Sequence, residues 1–284
     1  MSNESRQGNE VFGAHQAQQA GFQTRNVMKD DFGYEVPVES VPLPSNGVIY
    51  ETETGLYGKE TLDIRSMTAK EEDILTSRSL IKKGTVITEL IKSCLIDKQI
   101  DVDSMISGDR NAVMTALRIT GYGADYTVQV DCPACGAGNK QTFMLTDLPI
   151  KRLAIKPVVD GANLFEFELP VTKKKIKFKF LTGRDETEMT TIAERQKKQG
   201  LKTDSLVTSR LNFSVVSIGE VTDRSKISMF IKNMPARDSL ALRKYIDSNE
   251  PGIDMKSWMQ CESCDEHSEV NLPLGASFFW PDSE

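Results

Sequence analysis

Histidine is nearly missing from this chain: His15 and His267 are the two in 284 residues. Zinc fingers that need two cysteines and two nearby histidines are therefore excluded, and with them most histidine-centred catalysis. Phosphate-cradling loops are absent as well, since the glycines neither cluster as Gly-x-Gly-x-x-Gly nor precede a Lys-Ser/Thr pair. No serine sits in a nucleophile elbow, and two histidines offer no base for a triad. A small-molecule substrate is accordingly not expected. No run approaches the ~20 apolar residues that span a bilayer, so no membrane partner is expected either. The first thirty residues lack an apolar signal-like stretch, which points to folding in a reducing cytoplasm. There the five cysteines serve as thiols or metal ligands rather than disulfides. Positive charge is also short, with 35 Lys and Arg against 41 Asp and Glu, a net −6. Such a balance argues against a surface built for nucleic acid.

What is present is the make-up of a folded protein: 39% apolar and 27% charged residues. The length exceeds one average domain. Residues 1–40 are Gln-, Asn- and Ser-rich without a sustained period, and read as a flexible N-terminal arm. Phe12, Phe22 and Phe32 are scattered through it as candidate anchors for a partner. Residues 41–123 form a strand entry followed by helices. Thr61–Arg65 alternates as a half-buried strand, and Thr68-Ala69-Lys70-Glu71 has capping-box spacing. The apolar pairs Val86/Ile87, Leu90/Ile91 and Cys94/Leu95 define a helical face, which makes Cys94 a core residue. A third helix follows Gly108-Asp109 and stops at Gly121-Tyr122-Gly123.

The strongest chemical signal is a pair of Cys-x-x-Cys motifs, Cys132/Cys135 within residues 124–146 and Cys261/Cys264 within residues 258–284. Two intervening residues let both sulfurs of a pair converge on one tetrahedral ion. Each pair ends one strand and precedes another, so each resembles half of a zinc ribbon. A structural Cys₄ zinc site is the leading reading. A redox pair is weaker because neither motif opens a helix after a strand. Two unrelated surface turns are the bland alternative. The halves are separated by 125 residues, so the segment 147–257 must be an insertion whose ends lie close together. That insertion reads as two amphipathic strands followed by three or four helices, with caps at Thr182, Asp204 and Asp223 and with Pro235 opening the last. The run Lys173–Lys175, with Lys177, Lys179 and Arg184, reads as an edge strand with a polar face; phosphate or acidic-partner binding is its functional alternative. The fold class is thus α+β: a helical N-terminal part and a discontinuous zinc-ribbon-like unit interrupted by a strand-then-helix insertion.

The series Leu43-Pro44-Ser45-Asn46-Gly47, Met67–Leu75, Gly108-Asp109-Arg110-Asn111, Leu117-Arg118-Ile119, Gly121-Tyr122-Gly123, Cys132–Gly136 and Ser277–Asp282 resembles the baseplate protein family of T-even-type contractile-tailed bacteriophages. The likeness runs in order over roughly residues 41–284. It implies a structural component or assembly factor of the baseplate hub, located in the virion tail and partnered by other tail and baseplate proteins. It brings no catalytic residues, so no enzyme is expected. The aromatic end, Phe278, Phe279 and Trp280, fits either interface anchors or the chain's own core. The competing class is a zinc-ribbon nucleic-acid binder, disfavoured by the acidic balance.

Overall fold

The computed structural model describes residues 27–29, 33, 35–199, 206–274 and 276–279. Phe12, Phe22, Phe32, Trp280 and the cap expected at Asp204 lie outside the described residues. The described residues form an α+β fold with eight α-helices and several small antiparallel sheets.

The chain opens with β1 (Val27–Lys29), β2 (Glu35–Pro42) and β3 (Thr61–Arg65), ordered β1-β2-β3. Strand is thus present within the last part of the segment read as an arm, because β2 pairs with β3 from Val38 opposite Arg65 to Pro42 opposite Thr61. Helix α1 (Ala69–Thr76) starts at the expected capping box: Glu71 accepts from the Thr68 N–H at 2.9 Å and from its hydroxyl at 2.7 Å. Glu71 is fully buried and also takes a two-pronged bond from Arg65, at 2.7 and 3.1 Å, and one from Ser93. Burial alone would raise its pKa, but those donors outweigh it and hold the carboxyl well below the usual range. A short helix that the periodicity does not reveal, α2 (Arg78–Lys83), leads to α3 (Val86–Cys94), where Cys94 is core as expected.

Helix α4 (Ser107–Tyr122) is the central beam, and its Gly-Asp-Arg start explains why that triplet stands out in the sequence. Gly108 lies so close to Pro251 that an added Cβ would sit 1.7 Å from the Pro251 carbonyl oxygen. Asp109 is fully buried and accepts from the Ser45 N–H at 3.0 Å, the Ser45 hydroxyl and the Tyr50 hydroxyl. Arg110, 3% exposed, donates to Thr88 and to the Val102 carbonyl. One turn of helix therefore ties the N-terminal sheet entry, α3 and the far end of the insertion together.

Beyond α4 runs the hairpin of β4 (Asp125–Asp131) and β5 (Gly138–Met144), then β6 (Ile150–Lys151). The insertion begins there. Its sheet is β7 (Phe165–Glu168), β8 (Lys175–Phe178) and β9 (Val215–Ile218), in that order. β8 pairs on both sides, which corrects the edge-strand reading of the lysine run. Part of the run meets acids: Lys175 reaches Glu166 at 3.4 Å, Lys179 reaches Asp185 at 2.7 Å, and Arg184 reaches Asp101 at 3.2 Å. Four helices accompany the sheet: α5 (Gly183–Lys198), α6 (Leu206–Ser214), α7 (Arg224–Asn233) and α8 (Ala236–Asn249). Thr182 and Asp223 cap α5 and α7 as expected, and Pro235 stands at the start of α8. The insertion closes where β10 (Gly252–Ile253) pairs antiparallel with β6. The final hairpin is β11 (Lys256–Gln260) and β12 (His267–Asn271).

Candidate metal centre

The two hairpins carry their cysteine pairs at their tips, and the β6–β10 ladder at the base of the insertion brings the hairpins side by side. Both turns have the same backbone bonding. The Cys132 N–H donates to the Ala137 carbonyl at 2.9 Å, and the Gly136 N–H donates to the Cys132 carbonyl at 2.8 Å. In the second turn the Cys261 N–H donates to Glu266 at 3.0 Å, and Asp265 returns a bond to Cys261 at 2.9 Å. Gly136 and Asp265, at matching positions, both adopt positive φ, +75° and +59°. The knuckles are thus two copies of one geometry, facing each other.

All four Sγ atoms lie within 4.8 Å of one another. Cys132 and Cys264 are 3.8 Å apart, and Cys135 and Cys261 are 3.6 Å apart. Four thiolates at ~2.3 Å from a tetrahedral ion stand about 3.8 Å from each other, so this set fits a metal such as zinc. Cys132 and Cys261 are buried, while Cys135 and Cys264 are exposed. Burial pushes the Cys261 thiol up, but the N–H groups of Ser263 and Cys264 point at its sulfur and bring it down to about 6. At Cys264 the Glu266 N–H favours the thiolate, yet hydrogen bonding with Cys135, Cys261 and Cys132 prevails and pushes it up to about 12. Sulfurs so close cannot all hold charge unaided, and a dication removes that conflict.

Asn139, 2% exposed, fastens one half to the other. Its side-chain oxygen accepts from the Glu262 N–H at 2.9 Å, and its Nδ2 donates to the Ala137 carbonyl at 2.8 Å and to the Cys261 sulfur at 3.6 Å. Gln141 adds a bond to the Gln260 carbonyl. Neither residue carries a recognisable signal in the sequence, because each matters only once the second hairpin is alongside. His267 is exposed on β12 and stands outside the four-sulfur cluster.

Two of the C-terminal aromatics, Phe278 and Phe279, lie among the described residues. Phe278 and Phe279 are both fully buried, which favours the core of the two readings the sequence left open for them. Phe278 meets Tyr126 edge-on at 5.1 Å, and Phe279 stacks in a T against Phe278 at 5.4 Å. Arg118, itself buried, donates to the Phe278 carbonyl at 2.9 Å and to the carbonyls of Gly123 and Asp125.

An α+β chain whose last hairpin returns to complete a four-cysteine cluster is a zinc-ribbon-like protein with a candidate metal staple. Its sequence matches the model of the family described as T4 bacteriophage base plate protein over residues 48–280, and the chain belongs to that family. Comparison with curated proteins and comparison with solved structures each give no match. No helix among the described residues is long and apolar enough to cross a membrane.

Proposed function

We propose that this protein is a structural component or assembly factor of the baseplate hub in a contractile phage tail. In this reading Cys132, Cys135, Cys261 and Cys264 hold one structural zinc, and the partners are other tail and baseplate proteins. The observation that carries the metal assignment is the mutual approach of four sulfurs from two knuckles of matching geometry. Membership of the baseplate family supports the place in the tail. A shell of four thiolates leaves no position open for water or substrate, which supports a structural rather than a catalytic ion. Three of the six residues of the basic run that favoured the nucleic-acid reading, Lys175, Lys179 and Arg184, are engaged with Glu166, Asp185 and Asp101, which weakens that reading.

Native mass spectrometry of protein made under reducing, zinc-replete conditions tests the ion, with one zinc per chain expected. A metal-free chain of undiminished stability would sink the zinc assignment. Immunodetection in purified virions tests the place: signal at the tail supports a permanent part, and presence only in assembly intermediates supports the factor. Absence from both would overturn the tail reading.

A further inference from the structure

The net charge of the chain is located in one place. Residues 257–284 hold six carboxylates and no Lys or Arg, and removing them leaves 35 residues of each sign in the other 256. Four of the six, Glu262, Asp265, Glu266 and Glu269, are exposed on the second knuckle and on β12. Trp258 stands in the same hairpin. Met259 and Val270 turn inward, whereas Lys256, Trp258 and Gln260 on β11 and His267, Glu269 and Asn271 on β12 are all exposed. Trp258 is 58% exposed and stands in register opposite Glu269, which Lys256 on the same face bridges at 3.5 Å. That leaves Glu262, Asp265 and Glu266 as the acids of the rim that no Lys or Arg among the described residues bridges. By contrast Tyr126, Phe143, Phe278 and Phe279 nearby are at most 6% exposed.

From this we infer that the outer face of the β11–β12 hairpin, centred on Trp258, is a docking surface for a basic segment of a neighbouring protein. An indole is the best aromatic seat for a guanidinium, and carboxylates beside it pair with the remaining N–H groups of Arg or with Lys. A rigid ring at the centre of a charged rim also matches the make-up of binding hot spots. The sign of the rim selects the occupant: another acidic surface, including this same face on a second copy, is repelled, and so is nucleic acid. Opposite charge between the hairpin and its partner speeds encounter as well as fixing orientation.

The choice of a tail protein as partner rests on the function proposed above, and two probes separate the two ideas. Trp258 and Trp280 are the two tryptophans of the chain, so the Trp280→Phe variant makes Trp258 the sole indole reporter. The first probe is a deca-arginine peptide, which tests the surface itself. It is expected to change Trp258 emission at low salt, and to lose that effect in a Glu262→Lys/Glu266→Lys double variant. The second probe is the set of purified basic baseplate proteins of the same phage, added one at a time. One of them is expected to shift Trp258 emission to the blue. Its binding should weaken about 30-fold in Trp258→Ala, the loss typical of a hot spot, and should fall as salt rises from about 50 to about 300 mM. Trp258, Glu262 and Glu266 are exposed, and equal zinc content and melting temperature confirm that every variant folds. No response to deca-arginine, or binding indifferent to both variants, overturns the surface. A blue shift on concentrating the chain alone also overturns it, in favour of a second copy. A response to deca-arginine but to no tail protein supports the surface and counts against the tail reading instead.

Discussion

The side-chain oxygen of Asn139 accepts the backbone N–H of Glu262 at 2.9 Å, joining the first knuckle to the second across 123 positions of chain. The same side chain touches the Cys261 sulfur. Replacing it by Ala leaves all four sulfurs in place but takes the partner from a part-buried N–H. We expect Asn139→Ala to cost about 1–3 kcal/mol and to speed zinc loss to a chelator, measured by thermal melting and by a colorimetric zinc assay. Unchanged release kinetics would show that the sulfurs alone set the geometry.

Removing a ligand acts more strongly. Structural zinc contributes apparent binding energies of roughly 10–16 kcal/mol in small zinc domains, so Cys132→Ser should lose the ion and the docking of the two hairpins. Hydrogen exchange should then rise across both hairpins, while α1 and α3, which meet the Arg65–Glu71 pair, stay protected. Uniform protection in the metal-free variant would contradict a staple.

Glycine inside a helix is ordinarily destabilising, and replacing it with Ala stabilises by about 1 kcal/mol. At Gly108 the sign should reverse, because the new Cβ meets the Pro251 carbonyl oxygen at 1.7 Å. We expect Gly108→Ala to lower the melting temperature and to loosen the insertion, since the clash falls where the insertion rejoins the body. A stabilised Gly108→Ala protein would mean that α4 and β10 can part without consequence.

Acid should act through Glu71. Its folded pKa is depressed below the unfolded value of about 4.3, so its contribution is present above that pH and is lost as pH falls towards the folded value. Glu71→Gln should therefore be less stable than the parent at pH 7, by about 3 kcal/mol as for other broken buried pairs. The difference should shrink below about pH 4. Denaturant titrations at several pH values give both numbers, and a difference independent of pH would exclude the ion pair as its source.

Truncation after Leu274 removes Phe278 and Phe279 while sparing the four cysteines. Each buried ring contributes about 3–5 kcal/mol, so the truncated protein should melt much earlier yet still bind zinc at low temperature. Retained stability would return the rings to the interface reading.

Much of the fold was legible because it is written in local chemistry. The Thr68–Glu71 box, the Val86–Leu95 apolar face and the paired Cys-x-x-Cys motifs each need only a few neighbouring residues to be read. The four-cysteine cluster was legible for a second reason: two half-sites demand each other, and so demand that the insertion close on itself. What stayed hidden depends on partners distant in sequence. Lys177 and Lys179 alternate with apolar residues whether β8 is an edge or a centre, and only the arrival of β9 decides. Phe278 and Phe279 look alike as anchors or as core until Tyr126 and Arg118 are placed beneath them. Asp109 gave no sign of being buried, because its partners Ser45 and Tyr50 lie about sixty residues upstream.

The closing of the insertion by β6 and β10 also sets an order of events in time. On the ribosome Cys132 and Cys135 emerge first, and Cys261 lies 126 positions after Cys135. At synthesis rates of about 5–20 residues per second, the first knuckle waits roughly 6–25 s as a two-thiol half-site. It offers only two of the four ligands of a tetrahedral ion, so firm capture must follow the folding of everything between. On the proposed assignment, the four-sulfur shell is complete only once the insertion has closed, so firm binding of the ion reports that closure.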